Sequence, residues 1–313
     1  MNATIHTHGL TKHFGRIAAL NGVDLDVEEG SIYALVGANG AGKTTFIKLL
    51  MNILRPSAGE ATVLGIPSTR LAGKQFNRIA HVSENQEMPG WMTVATWMEY
   101  WRPFYPQWDR ELEQQLINQF QLPLKRRLKD LSRGMRMKAA FASSLAYRPA
   151  LIVLDEPFSG LDPLVRDELI EGLLDRASES TIFLSSHDLA EIESFASHVG
   201  YLAEGQMLFS EEMSALSNRF RDVTVTLDGP ASIPANPPSD WLQLQVNGPV
   251  VHFVHSGYAG EPSEFAIHSA FPTARSLSFD PMPLRSIFLA IAKRERNQLP
   301  AAVSDEQQRR SVA

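Results

Sequence analysis

Gly37-Ala38-Asn39-Gly40-Ala41-Gly42-Lys43-Thr44-Thr45 is the stretch on which the reading of this chain turns. Ahead of it, Ile32-Tyr33-Ala34-Leu35-Val36 is apolar and strand-like, and behind it Phe46, Ile47, Leu49, Leu50 and Met51 fall where a helix buries one face. Between a strand and a helix, G-x-x-x-x-G-K-T is the pattern of a phosphate-binding loop. Glycines let the backbone turn tightly and aim its N–H groups inward, while the helix N-terminus adds about half a positive charge below a polyphosphate. Lys43 is then placed to reach the β- and γ-phosphates, and the Thr44 hydroxyl to ligate Mg²⁺. The candidate nucleotide-binding set is therefore Gly37, Ala38, Asn39, Gly40, Ala41, Gly42, Lys43, Thr44 and Thr45.

Working outward, 313 residues leave room for about two domains, and 44% hydrophobic content supplies a core. A net charge of -6 gives no global electrostatic reason to expect nucleic acid as a partner. The absence of cysteine excludes disulfides, thiolate metal sites and a cysteine nucleophile. No window approaches about 18 consecutive apolar residues, and Met1 to Thr11 has neither a basic nor an apolar signal region. Any role at a membrane is expected to be peripheral, through a partner.

Residues 4 to 30 alternate apolar and polar positions around Gly15, Asn21-Gly22 and Glu29-Gly30, which predicts short antiparallel strands and tight turns, with Phe14 on that leading sheet. Residues 88 to 130 gather Trp91, Trp97, Trp101 and Trp108 with Tyr100, Phe104 and Tyr105, then a helical run from Asp109 to Phe120. They predict a helical insert over about 88–147 whose aromatics pack its own core or offer a docking surface. Lys125, Arg126, Arg127 and Lys129 read as a solvated face. From Leu131 onward, helices over Met135–Ala146 and Leu164–Arg176 alternate with the continuous apolar runs Leu151–Leu154 and Thr181–Leu184. That alternation predicts a parallel sheet with right-handed crossovers. Beyond Phe220 a hairpin around Asn247-Gly248, two helices and a further strand predict a small α+β domain. The expected division is 1–218, 219–296 and a polar tail over 297–313 expected to be disordered.

A phosphate loop needs an acidic strand to hold Mg²⁺, and Leu151-Ile152-Val153-Leu154-Asp155-Glu156 supplies one. Asp155 stands at the strand's C-terminal end, the sheet edge at which α/β proteins bind ligands, and can hold the metal through water. Glu156 is the candidate for orienting or deprotonating a water that attacks the γ-phosphate. Ser132 can cap the helix that follows it, and a hydroxyl with the Gly134 amide at a helix N-terminus also forms a second anion site. One chain has a single γ-phosphate, already held by the main loop, so this second site points to a second copy of the chain.

In order, the phosphate loop, Leu131-Ser132-Arg133-Gly134-Met135, Leu151 to Glu156, Ser159-Gly160-Leu161-Asp162 and Ser185-Ser186-His187 resemble the five sequence motifs of ATP-binding-cassette (ABC) transporter ATPases. The resemblance covers about residues 3 to 215. It implies an α/β fold, a P-loop NTPase core of ABC type with an antiparallel β subdomain and a helical subdomain, with the α+β domain at the C-terminus. It further implies ATP and Mg²⁺ as ligands, and a head-to-tail dimer, with itself or a similar subunit, closing on two ATP molecules. In that picture Ser132 and Gly134 contact the γ-phosphate in trans, His187 touches it too, Asp162 couples the two sites and Phe14 stacks on adenine. Three residues depart from the family pattern: Arg133 and Met135 in the L-S-G-G-Q signature, and Glu84 where a glutamine is usual, from which glutamate can still reach Mg²⁺ through water. Met282-Pro283-Leu284-Arg285-Ser286-Ile287-Phe288-Leu289 resembles the S-L-E-D-x-F-L close of ABC-2-type export ATPases. These resemblances imply an ATP-hydrolysing subunit of an exporter with separate polytopic permease chains, seated at the cytoplasmic side of the cell membrane. The alternatives are a soluble ABC ATPase acting on ribosomes or DNA, and a small-molecule kinase that leaves the signature and His187 without a role.

Overall fold

The computed structural model of the chain describes residues 3–84, 86–234 and 236–298. Contacts divide it into one unit that runs to Glu212 and a second that starts at Met213. The tail over 299–313 lies outside the described residues.

In the first unit, β1 (Ala3–Phe14) and β2 (Ile17–Glu28) pair antiparallel and turn at Gly15, whose φ of 58° suits a residue without a Cβ. Each strand is 12 residues long, and the expected break at Asn21-Gly22 does not occur. A register shift between Leu10 and Lys12 absorbs those residues, and the Thr11 hydroxyl accepts the Gly22 N–H at 3.0 Å, so the ladder bulges instead of ending. The sheet is completed after β3 (Ile32–Val36) and α1 (Lys43–Leu50) by β4 (Ala58–Val63) and β5 (Ile66–Pro67), in the order β2-β1-β4-β5.

The larger sheet collects β3, then β6 (Ile79–Ser83), β7 (Leu151–Asp155), β8 (Thr181–Ser186), β9 (His198–Ala203) and β10 (Gln206–Glu212), in the order β10-β9-β3-β8-β7-β6. All but β10 run parallel. Every residue of β3, β7 and β8 is buried, which is why apolar residues run unbroken over 32–36, 151–154 and 182–184. The helix α1 lies between the two sheets: Phe46, Ile47, Leu49 and Leu50 join Leu10, Val23, Leu35, Val153 and Phe183 in one core.

The helical insert comprises α2 (Val94–Trp101), α3 (Arg110–Gln119) and α4 (Arg133–Leu145), and α5 (Pro163–Leu174) follows β7. Its aromatics divide. Trp97 is buried and donates to the Ser143 hydroxyl at 3.0 Å, and Tyr105 stacks on Tyr147 at 3.7 Å, whereas Trp91, Tyr100 and Phe104 are exposed. Lys125, Arg126, Arg127 and Lys129 are all exposed.

The second unit contains α6 (Met213–Arg219), β11 (Arg221–Leu227), β12 (Trp241–Asn247), β13 (Val250–His255), α7 (Glu261–Ala270), β14 (Ala274–Pro281) and α8 (Leu284–Gln298). Its antiparallel sheet, in the order β12-β13-β11-β14, buries Val223, Val225, Trp241 and Phe253 against Ile267 and Phe271 of the α7 region.

Candidate nucleotide site

Parallel register brings the ends of β3, β8 and β7 together. Val36 pairs with Ser186, and Asp155 with Ser185, so the loops that follow these strands open at one sheet edge. There α1 begins without a side-chain cap: Gly42 is its N-cap at φ 111°, while Thr93, Asp109, Ser132 and Asp162 each cap a helix through a side-chain oxygen. The first-turn N–H groups of α1 therefore stay available to an anion. Packing enforces both flanking glycines. A Cβ on Gly37 would lie 2.2 Å from the Leu202 carbonyl oxygen, and one on Gly42 would lie 2.5 Å from that of Ala19.

Lys43 is buried, and its ammonium donates to the carbonyls of Gly37 (2.6 Å) and Ala38 (3.2 Å) and lies 3.0 Å from Glu156 Oε1. The Thr44 hydroxyl donates to Asp155 Oδ1 at 3.1 Å. Ser185 Oγ donates to the same oxygen at 2.8 Å and accepts the Glu156 N–H at 3.0 Å, tying both acidic residues to β8. Glu156 holds φ 51°, a left-handed conformation costing a non-glycine residue about 1–2 kcal/mol. The turn aims its carboxylate between Lys43 and His187, whose Nδ1 lies 2.7 Å from Oε2. That hydrogen bond holds the His187 pKa above its usual range, against the opposing effect of burial. Glu84 follows β6; its N–H donates to the Asp155 carbonyl at 3.0 Å and its side chain pairs with Arg133.

A cleft of about 290 Å³ is lined by Asn39, Gly40, Gly42, Lys43, Thr44, Thr45, Glu84 and Glu156, with Ala19 at its side. Gly37, Ala38 and Ala41 form the loop beneath, where the Ala41 N–H donates to the Ala38 carbonyl at 3.1 Å. A second cleft of about 270 Å³ shares Thr44, Glu84 and Glu156 and adds Lys48, His81, Ser83 and Asp155. Beyond the loop residues, five expected residues line neither cleft: Phe14, Ser132, Gly134, Asp162 and His187, the last reaching the site through Glu156. Phe14 stands 47% exposed at the end of β1 with the Lys12 ammonium 5.2 Å from its ring centre. Ser132 and Asp162 cap α4 and α5, and a Cβ on Gly134 would sit 2.9 Å from Val165 Cγ1, so that glycine is where α4 meets α5.

Three features had no counterpart in the sequence reading. Ser185 fixes Asp155, a contact that its place in the Ser185-Ser186-His187 motif did not convey. His81 lines the second cleft, its pKa lowered by burial against the pull of Asp155, and its place in a strand is its only sequence signal. Arg133 and Glu84 were separate departures from a pattern, with nothing to say that they touch.

Thr44 and Asp155 present hard oxygen donors to one point, with Glu84 on the same cleft. Mg²⁺ uses one or two carboxylates and takes its remaining ligands from phosphates and water. The hydroxyl and the carboxylate meeting at one point are a donor set that suits that ion.

A phosphate loop and an acidic strand at one edge of a mainly parallel sheet define a P-loop nucleotide-binding protein. Residues 20–159 match the family model described as "ABC transporter". The bacitracin transport ATP-binding protein BcrA of Bacillus licheniformis is 32% identical over 228 residues, covering 71% of this chain and 74% of that protein. The chain belongs to the ABC transporter family. An uncharacterized ABC transporter ATP-binding protein of Nostoc sp. is 34% identical over 64% of this chain, which spans 62% of that relative's length. Among solved structures, a dimeric bacterial ABC transporter cassette shares the fold at a TM-score of 0.60 and 22% identity, covering 67% of this chain and 98% of that one.

Proposed function

We propose that this chain is the ATP-hydrolysing subunit of an ABC transporter, closing as a head-to-tail dimer on two ATP molecules and driving separate membrane permease chains. The observation that carries this reading is the placement of the Glu156 carboxylate between Lys43 and His187, beside the Thr44–Asp155 pair. Lys43 and the N–H groups of Gly40 and of Gly42 to Thr45 bind the phosphates, while Thr44 and Asp155 would hold Mg²⁺ and Glu84 would reach the ion through water. When bound, the ion neutralises charge on the β- and γ-phosphates. Glu156 orients and deprotonates the attacking water, and His187 holds Glu156 and the γ-phosphate. Ser132 and Gly134 complete the neighbouring subunit's site, Asp162 couples the two sites and Phe14 stacks on adenine.

A cleft of about 260 Å³ with Ile53, Phe76, Trp101, Tyr105 and Tyr147 on its walls supports docking of a permease helix on the insert. Among the described residues no helix is long and apolar enough to cross a membrane, in keeping with a peripheral seat on the cytoplasmic face. The name of the bacitracin transport relative supports a part in transport, and the close over 282–289 supports export. The test is phosphate release from ATP together with affinity capture of the tagged chain from detergent-solubilised membranes. The reading requires hydrolysis and a polytopic membrane protein in the captured complex; a chain yielding neither refutes it.

A further inference from the structure

Glu84 sets an electrostatic problem for the site. It lines both clefts, beside Lys43, Thr44 and Asp155, so its negative charge stands where a polyphosphate and its metal would be held. Lys43, the cation on the cleft floor, is already 3.0 Å from Glu156. The Glu84 carboxylate pairs instead with Arg133, the third residue of the signature stretch and the first of α4.

The position of Arg133 is built on both sides. Its guanidinium crosses Gly160 in the loop after β7 so closely that a Cβ there would lie 2.6 Å from Nη1, and Gly160 holds φ 62°. On the other side the Glu84 backbone is fixed by its N–H bond to the Asp155 carbonyl. A single side chain thus joins the N-terminus of α4, the loop after β6 and the loop after β7.

We infer that Arg133 is a positioning residue for the nucleotide site of its own subunit: it neutralises Glu84 and holds that carboxylate in place, so that the cleft can accept a polyphosphate. This inference rests on the nucleotide-site reading above. The two departures at positions 84 and 133 are, on this view, one compensated change. With Glu84 29% and Arg133 43% exposed, the pair is partly screened, and its influence belongs near the upper end of the range for surface pairs.

The test is a double-mutant cycle on the full chain, read as binding of mant-ATP with Mg²⁺ at a dilution where light scattering gives a monomer. Arg133→Ala should weaken binding about fivefold when Glu84 is present and less than about twofold in the Glu84→Gln background. Arg133→Lys should keep most of the affinity, because the charge is what acts. The loss on Arg133→Ala should grow at low salt and shrink at high salt, a dependence that a purely structural role would not show, and thermal melts identify any variant that fails to fold. An equal loss in both backgrounds would overturn the inference and place the action of Arg133 elsewhere, such as at the neighbouring subunit's nucleotide. So would an Arg133→Lys variant as weak as Arg133→Ala. If Lys43→Ala binds mant-ATP like the parent chain, the nucleotide-site reading fails and the inference fails with it. If Lys43→Ala abolishes binding and the cycle shows no coupling, only the inference fails.

Discussion

Replacing Glu156 with glutamine removes one charge and leaves the shape of the side chain and its backbone anchor intact. The Glu156 N–H still donates to Ser185 Oγ, so the left-handed turn at φ 51° is unchanged. The side-chain contacts do change. A carboxylate accepts from both Lys43 and His187, at 3.0 and 2.7 Å, whereas an amide has one oxygen and one NH₂. The oxygen must face Lys43, a donor only, so the NH₂ faces His187 Nδ1 and is satisfied when that nitrogen carries no proton. Two results follow. Removing the proposed general base should cost at least about 10²-fold in turnover, or about 2.7 kcal/mol, while the ammonium and loop N–H groups proposed to bind phosphate remain. Steady-state phosphate release measures this, and chromatography with ATP should show the variant held as a dimer. The His187 pKa, raised by its bond to Glu156, should fall, as followed by the ring proton shifts in NMR. Because the folded-state pKa lies above the usual value near 6.5, the pairing stabilises the protein fully below that pH and loses its contribution as pH rises through the folded value. The stability gap between wild type and variant should therefore narrow from pH 6 to pH 8.5. The ring is 41% exposed, so that gap is about 0.2–1 kcal/mol after screening. Turnover within about fivefold of wild type would refute the general-base assignment, and an unshifted His187 would refute the pairing.

Lys43→Ala should cost about 3 kcal/mol or more in hydrolysis, since it removes the charged donor of the loop; near-normal phosphate release would show the loop misassigned. Gly37→Ala should destabilise the protein by about 1–3 kcal/mol, because the added methyl meets the Leu202 carbonyl at 2.2 Å and backbone cannot swing aside; an unchanged urea midpoint would contradict that packing. Glu113→Ala should cost about 2 kcal/mol by stranding the donors Arg102 Nε (2.9 Å), Arg102 Nη2 (2.5 Å) and Trp108 Nε1 (2.7 Å). Burial alone would raise the Glu113 pKa, but the bonds from Arg102 and Trp108 hold it below the usual value near 4.5. That contribution is present above pH 4.5 and lost as pH falls through the folded value, so wild type and Glu113→Ala should converge on acid titration; a gap constant with pH would refute it.

The elements most legible in the sequence were those with a single dominant cause. The strands β3, β7 and β8 are buried on both faces, and their apolar stretches over 32–36, 151–154 and 182–184 run without an alternating polar position to blur them. Asp109, Ser132 and Asp162 mark helix starts because a short oxygen side chain satisfies orphan N–H groups there. Two strands of the large sheet, β9 and β10, went unread: β10 alternates only between partial and full exposure, so it lacks the apolar period that betrays a strand. The break expected at Asn21-Gly22 failed for a related reason, since a bulge and an outside partner, Thr11, took up a dipeptide that in isolation favours a turn.

The site divides in the same way, and the division explains what a motif can convey. Gly37, Gly42, Lys43 and Thr44 act through backbone geometry over eight consecutive residues, so their spacing along the chain is already their spacing in space. Asp155 and Glu156 share a strand end, but what each carboxylate touches depends on Ser185 and His187, about 30 residues on, and is set by the β7–β8 register. Arg133 and Glu84 are further removed, on elements that meet only when α4 packs beside the loop after β6. Each step away from local geometry turns a residue's identity into a weaker guide to its partner. Electrostatics then does what spacing cannot: a carboxylate that lines a phosphate cleft needs a cation, and the fold brings the nearest one from the signature helix.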